Sequence, residues 1–283
     1  MKQRVVSGVS LVIFLAAIVL FNSSCPAALN VAISLISVLA VHEIISALGL
    51  SKNHVLVIPS LFFSAAIPLM QLLAQPHVMK LAVLQQGAYF IYTVVIFSAL
   101  ILYHQFITFR EVGVIYSMSL MIPTALQTII NLRTFGGRHG MFYVIIAIFS
   151  AWIADTGAYF SGSRWGKHKF CPNISPKKTV EGVIGGFVLN IAAMIVFGYI
   201  FHVVYYAYSV NISYLSLFLI GFFGTIMSIL GDLSFSLIKR SCHIKDFGEI
   251  IPGHGGILDR FDSVIFEAPF VYLFVHFMPI VIH

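Results

Sequence analysis

Apolar runs long enough to cross a bilayer recur along this chain, and they limit its folding more than any other feature. A helix needs about 20 mostly apolar residues to span the hydrocarbon core. Nine stretches qualify: Val5–Phe21, Ala27–Leu50, Val55–Ala74, Leu81–Ile107, Val112–Leu132, Met141–Ser161, Val183–Tyr206, Tyr214–Ile238 and Ser263–Ile282. Inside a bilayer every backbone N–H and C=O must be satisfied within the protein, so such stretches fold as helices. The expected fold class is an all-α polytopic integral membrane protein with about nine transmembrane helices. Only 9% of the residues are charged, against roughly 25% in a soluble domain, which excludes a soluble enzyme built on one large core. The first span follows Lys2 and Arg4, a pattern that a signal peptide also shows; the spans behind it favour a retained helix.

Charge orients the spans. With the N-terminus cytoplasmic, the inner loops collect 13 of the 16 Lys and Arg residues, and only Lys80, Arg133 and Arg138 fall outside. That bias is the positive-inside rule. It makes a basic cytoplasmic face the simplest reading of the net charge of +6, with no call for a nucleic-acid partner. Cys25, Cys171 and Cys242 form no CxxC pair, and the last two lie in loops expected in the reducing cytosol, so no disulfide framework is implied. The expected organisation is a stretch of about five spans with few polar residues, 1–140, followed by a membrane region, 141–283, that carries two cytoplasmic loops. His42 and Glu43 are the polar exception in the first part. Glu43 reads most simply as an interfacial residue near Lys52, although a carboxylate inside a span is often paired or functional.

The chemistry concentrates in two places. The first is W-I-A-D-T-G-A-Y through S-P-K-K-T-V-E-G-V-I-G-G, Trp152–Gly186. Asp155 lies at the end of a span, and Arg164, Lys167, Lys169, Lys177 and Lys178 follow it. S-P-K-K-T-V-E-G resembles a helix start, with Ser175 or Thr179 as cap, and ammonium groups there suit phosphate oxygens. A basic loop that meets anionic lipid heads would look similar. Gly182 and Gly186 form a small-xxx-small pair suited to close helix packing. The second place runs from Asp232, inside the apolar S-I-L-G-D-L-S-F, through Lys239, Arg240, Lys245, Asp246 and P-G-H-G-G to Asp259, Arg260 and Asp262. A carboxylate in apolar surroundings should be protonated or neutralised by a cation. A turn at Gly253–Gly256 would return Asp259 towards Asp232, and two carboxylates with water and phosphate make a normal Mg²⁺ site. Helix-to-helix salt bridges from Asp259 or Asp262 to Arg260, Lys239 or Arg240 are the competing explanation. Zinc is disfavoured, because Cys171 and Cys242-His243 supply no tetrahedral set.

The run Ser236–Asp262 resembles, without a gap, the signature of the phosphatidate cytidylyltransferases, also called CDP-diacylglycerol synthases: S-x-hydrophobic-K-R, K-D-x-G, P-G-H-G-G, D-R-hydrophobic-D. Trp152–Gly186 resembles the family's D-T-G-A-Y, G-K and S-P-K-K-T-x-E-G elements. The resemblance is sharp over about residues 150–265 and rests on hydropathy before that. It implies a multi-pass enzyme of the cell (inner) membrane, with its active site facing the cytoplasm, that makes CDP-diacylglycerol and pyrophosphate from CTP and phosphatidic acid. Mg²⁺, often with K⁺, and a homodimer are implied with it. By residue, it implies metal binding by Asp232 and Asp259 and catalytic roles for Asp232, Lys239, Arg240, Lys245, Asp246 and Asp259. Substrate binding would fall to Asp155, Lys177, Lys178, Gly253, His254, Gly255, Gly256, Arg260 and Asp262. A CTP-dependent lipid kinase would share nucleotide-handling residues but move the γ-phosphoryl group. An ion-coupled transporter built on Glu43, Asp155 and Asp232 should show broken helices repeated in two halves, whereas the polar residues of this chain cluster in two cytoplasmic-facing regions of the second part.

Overall fold

The computed structural model describes residues 25–73, 78–251 and 255–282. The expected span Val5–Phe21 and the site candidates Gly253 and His254 lie outside them. Seven described helices are long and apolar enough to cross a membrane, and the only strands among the described residues are four short ones in two antiparallel pairs. The chain is an all-α membrane protein. It divides into two compact units, 1–130 with 242–260, and 131–241 with 261–283.

In the first unit, α1 (Ala27–Ala47) packs on α2 (His54–Leu73), and α2 on α3 (Val78–Leu102). Lipid gives apolar helices no hydrophobic reason to associate, so packing and interhelical hydrogen bonds hold them. Here Asn30 Nδ2 donates to the Pro68 carbonyl at 3.1 Å, and Ser34 Oγ to the Ala65 carbonyl at 3.0 Å. These bonds join α1 to the part of α2 that carries Pro68, one of its two internal prolines. Helix α4 (Phe109–Phe135) starts at a capping box written in the sequence as T-F-R-E. The Thr108 N–H donates to Glu111 Oε2 at 2.7 Å, and the Glu111 N–H donates back to Thr108 Oγ1 at 3.3 Å; two donors that a helix start leaves orphaned are thereby satisfied.

The second unit is a bundle of α5 (Gly140–Trp165), α6 (Val180–Ile200), α7 (Tyr214–Ser241) and α9 (Val264–Phe277). Helices α5 and α6 make its most extensive contact. Glycine allows it: a Cβ on Gly182 would stand 2.7 Å from the Ala158 carbonyl oxygen, and one on Gly186 would stand 3.0 Å from that of Ala154. The small-xxx-small reading of that pair is thus the packing reading. Asn190 on α6 is fully buried, and its Nδ2 donates to Ser150 Oγ on α5, and to the Gly221 carbonyl and Thr225 Oγ1 on α7. One amide therefore ties three helices together. Helix α9 is shorter than the expected span Ser263–Ile282. It stops at Phe277 because Met278, before Pro279, leaves helical geometry at φ −133° and ψ 81°, as a residue preceding proline tends to do. The chain then continues as β4 (Val281–Ile282), paired with β3 (Asn211–Ile212).

Candidate active site

The basic loop after α5 folds into a hairpin of β1 (Lys169–Cys171) and β2 (Ser175–Thr179). Thr179, not Ser175, caps α6: its Oγ1 accepts the Gly182 N–H at 3.2 Å. Ser175 opens β2 instead, and the strand carries Lys177 and Lys178 up to the helix start. Strand alternation sends neighbouring side chains to opposite faces. Lys177 is exposed, while Lys178 is half-buried and its Nζ forms an ion pair with Asp232 Oδ2 on α7.

Around that pair the second unit gathers the other acidic candidates. Ser228, one helical turn before Asp232 on α7, donates to Asp155 Oδ1 at 3.1 Å. Ser263 bridges two carboxylates: its Oγ donates to Asp155 Oδ2 at 2.6 Å and its N–H to Asp262 Oδ1 at 2.8 Å. Lys239, on the last turn of α7, reaches Asp262 Oδ2 at 3.9 Å. Burial, and then the charges of Asp232 and Asp155, pushes the Asp262 carboxyl well above its usual range; Lys239 and the Ser263 N–H pull it back. Three aspartates thus share one neighbourhood with two lysines. Arg240 is exposed at the end of the same helix.

The first unit holds the glycine motif. Asp259 is buried at the start of the short helix α8 (Leu258–Phe261), and its Oδ2 accepts the N–H groups of Phe247 at 2.8 Å and Gly256 at 2.9 Å. Gly255 adopts φ +86°, and a Cβ there would stand 2.9 Å from Asp259 Oδ2, so only glycine suits both its backbone and its space. Asp246 lies beside the same glycine, and its Cβ would be 3.4 Å from the added atom. Lys245 and Asp246 are exposed and Arg260 is half-buried.

Several expectations change. Of the expected salt bridges, Lys239–Asp262 is present, and an ion pair outside that expectation, Lys178–Asp232, stands beside it. Glu43 is no interfacial residue near Lys52: it is 3% exposed, and its two carboxylate oxygens accept the N–H groups of Ile257 at 2.9 Å and Leu258 at 2.8 Å. Ser228 and Ser263 were not legible as site residues, although Ser228 stands four before Asp232, on one helix face, and Ser263 follows Asp262 directly. Among the described residues no three His, Cys, Asp or Glu side chains form a ready-made metal cage. The donors nevertheless suit Mg²⁺, which prefers oxygen, takes one or two carboxylates and keeps waters and phosphates for the rest. Asp232 belongs to the second unit and Asp259 to the first.

Comparison with known proteins identifies the family. A phosphatidate cytidylyltransferase of Bacillus subtilis (strain 168) is 41% identical over 165 residues, 58% of each chain. One of Haemophilus influenzae is 35% identical over 171 residues, 58% of this chain and 57% of its own. One of Aquifex aeolicus is 42% identical over 132 residues, 47% of this chain and 46% of its own. The chain thus spans about half the length of the curated relatives it matches. The model of the cytidylyltransferase family matches residues 2–278, nearly the whole sequence. The chain belongs to the cytidylyltransferase family.

Proposed function

We propose that this protein is a phosphatidate cytidylyltransferase, joining CTP and phosphatidic acid into CDP-diacylglycerol and pyrophosphate. The observation that carries the reading is the second unit's set of aspartates held by lysines and serine hydroxyls, Lys178 on Asp232 above all. A site for polyanions needs carboxylates for a divalent cation and ammonium groups for phosphate oxygens, and this set supplies both. A phosphate oxygen of phosphatidic acid attacks the α-phosphorus of CTP, and the bond from that phosphorus to the bridging oxygen of the β-phosphate breaks to release pyrophosphate. The attacking phosphate has a second pKa of about 6, so it is largely ionised at neutral pH and no general base is assigned.

Asp232 and Asp259 would hold Mg²⁺, which when bound screens the repulsion between the two anionic substrates. Lys178 and Lys239 exchange their carboxylate partners for phosphate oxygens, so both start oriented rather than free in water. With Arg240 and Lys245, they take charge that builds on the leaving pyrophosphate. Asp155 and Asp262, tied by Ser263, keep the floor of the site rigid. Asp246 and the glycines at 255 and 256 shape the backbone that approaches the nucleotide, with Gly253 and His254 next to them in sequence. Lys177 and Arg260 add positive charge for phosphate. Transfers of this kind depend mostly on positioning and electrostatics, which accords with the lack of a nucleophilic triad in the motifs. The bias of basic residues towards these loops supports an active site on the cytoplasmic face of the cell membrane. A homodimer, and K⁺ as a companion of Mg²⁺, complete the reading.

The test is direct. Purified protein in detergent is given phosphatidic acid, Mg²⁺ and CTP labelled at the α-phosphorus. Label enters the lipid phase with wild type and falls by at least about 100-fold with Asp232→Asn or Asp259→Asn. Folded wild-type protein that labels lipid only from γ-labelled CTP would instead be a lipid kinase.

A further inference from the structure

Glu43 is a buried carboxylate in an apolar helix, and the transfer described above gives it no task. We propose that Glu43 is a positioning residue for the reaction: it fixes the 255–259 backbone in the form that orients Asp259, and through Asp259 it sets the affinity of the metal site. The inference rests on the assignment of Asp259 as a metal ligand.

The geometry is that of a clamp. Glu43 Oε1 accepts the Ile257 N–H and Oε2 the Leu258 N–H, so both oxygens are committed to adjacent amides of one loop. Beside those amides, two glycines of the loop lie against the carboxylate. A Cβ on Gly256 would stand 2.5 Å from Glu43 Oε2, and one on Gly248 would stand 2.8 Å from Oε1. Gly256 also donates its N–H to Asp259 Oδ2. The two carboxylates therefore grip the same few residues: Glu43 holds the amides at 257 and 258, and Asp259 holds those at 256 and 247. Any shift of the 256–258 backbone must rotate the Asp259 carboxylate, because that backbone carries both its attachment and one of its donors.

Such a task needs a carboxylate. Desolvating a charged group is costly unless hydrogen bonds compensate it, and bonds from N–H groups to an ionised carboxylate are about twice as strong as neutral ones. Glutamine has one oxygen, and its amide nitrogen would meet the second N–H donor to donor. Residues that orient a metal ligand typically change metal affinity by about 10–100-fold when altered.

The experiment compares full-length wild type with Glu43→Gln in detergent. Mn²⁺, the spectroscopic stand-in for Mg²⁺, is titrated and followed by electron paramagnetic resonance, while hydrogen exchange is followed at the amides of 255–259. The expected result for Glu43→Gln is weaker Mn²⁺ binding by about tenfold with faster exchange at Ile257 and Leu258. The half-saturating Mg²⁺ for lipid labelling should rise equally, with kcat at saturating Mg²⁺ lowered far less. A variant that only melts earlier, with Mn²⁺ affinity unchanged, would overturn the proposal. Should Glu43→Gln fail to fold, Gly248→Ala presses the carboxylate from the loop side and must reproduce the loss of Mn²⁺ affinity, or the proposal fails. Unchanged Mn²⁺ binding in Asp259→Asn would instead remove the metal assignment itself.

Discussion

The two units use the same functional group for opposite purposes. In the second unit, Asp232 and Asp262 face lysine ammonium groups, and Asp155 faces serine hydroxyls. In the first unit, Glu43 and Asp259 accept backbone N–H groups from one loop. An ammonium on a flexible stem can leave a carboxylate for a phosphate; a backbone amide cannot leave without deforming the chain. The second set is suited to exchanging partners with ligands, the first to holding a shape. A carboxylate near the membrane therefore reveals its role through its partner rather than its own identity.

That contrast breaks in graded ways. Removing the exchangeable cation has the largest expected effect: Lys178→Met lowers lipid labelling by about 100-fold and leaves the protein folded, as its melting curve in detergent would show. Equal activity in wild type and variant would mean that the ion pair is structural. Gly256→Ala tests the holding set. Its Cβ meets the Glu43 carboxylate at 2.5 Å, so the expected cost is about 1–3 kcal/mol, read as a lower melting temperature together with faster amide exchange in the loop. Thr179→Ala removes the α6 cap and should cost about 1 kcal/mol, with a smaller loss of labelling than Lys178→Met, because the cap only steers the strand that carries Lys178. The smallest effect has the opposite sign. Glu267 on α9 is fully buried, with the Ser150 hydroxyl beside its carboxylate and no cation paired with it among the described residues. Neutralising such a group should stabilise: Glu267→Gln is expected to raise the melting temperature by about 2–4 °C. A fall would show that the contact with Ser150 holds this carboxylate.

Much of the membrane architecture was legible. The expected spans from Ala27 to Ile238 each overlap a helix long and apolar enough to cross a membrane, because bilayer thickness and the need to satisfy backbone groups leave little alternative. The Gly182–Gly186 packing face is a local pattern, and it is realised in the structure. The last span was misjudged because hydropathy counts apolar residues regardless of conformation, whereas Pro279 sets where the helix can run. The lysines and aspartates of the motifs could be named from sequence, but their pairing could not. Lys178 could have served lipid heads, and Lys239 could have met Asp259.

The sequence by itself determined the chemical inventory and the helices. Apolar length, charge placement and motif spacing are properties of neighbouring residues, and they act before any distant contact forms. Only the tertiary structure decided which carboxylate meets which donor. Glu43 accepts bonds from residues 214 and 215 positions away, and Asp155 from serines 73 and 108 positions away. Such pairings are fixed by how helices pack and where their turns end, since a buried carboxylate takes whichever donors the folded neighbourhood brings to it.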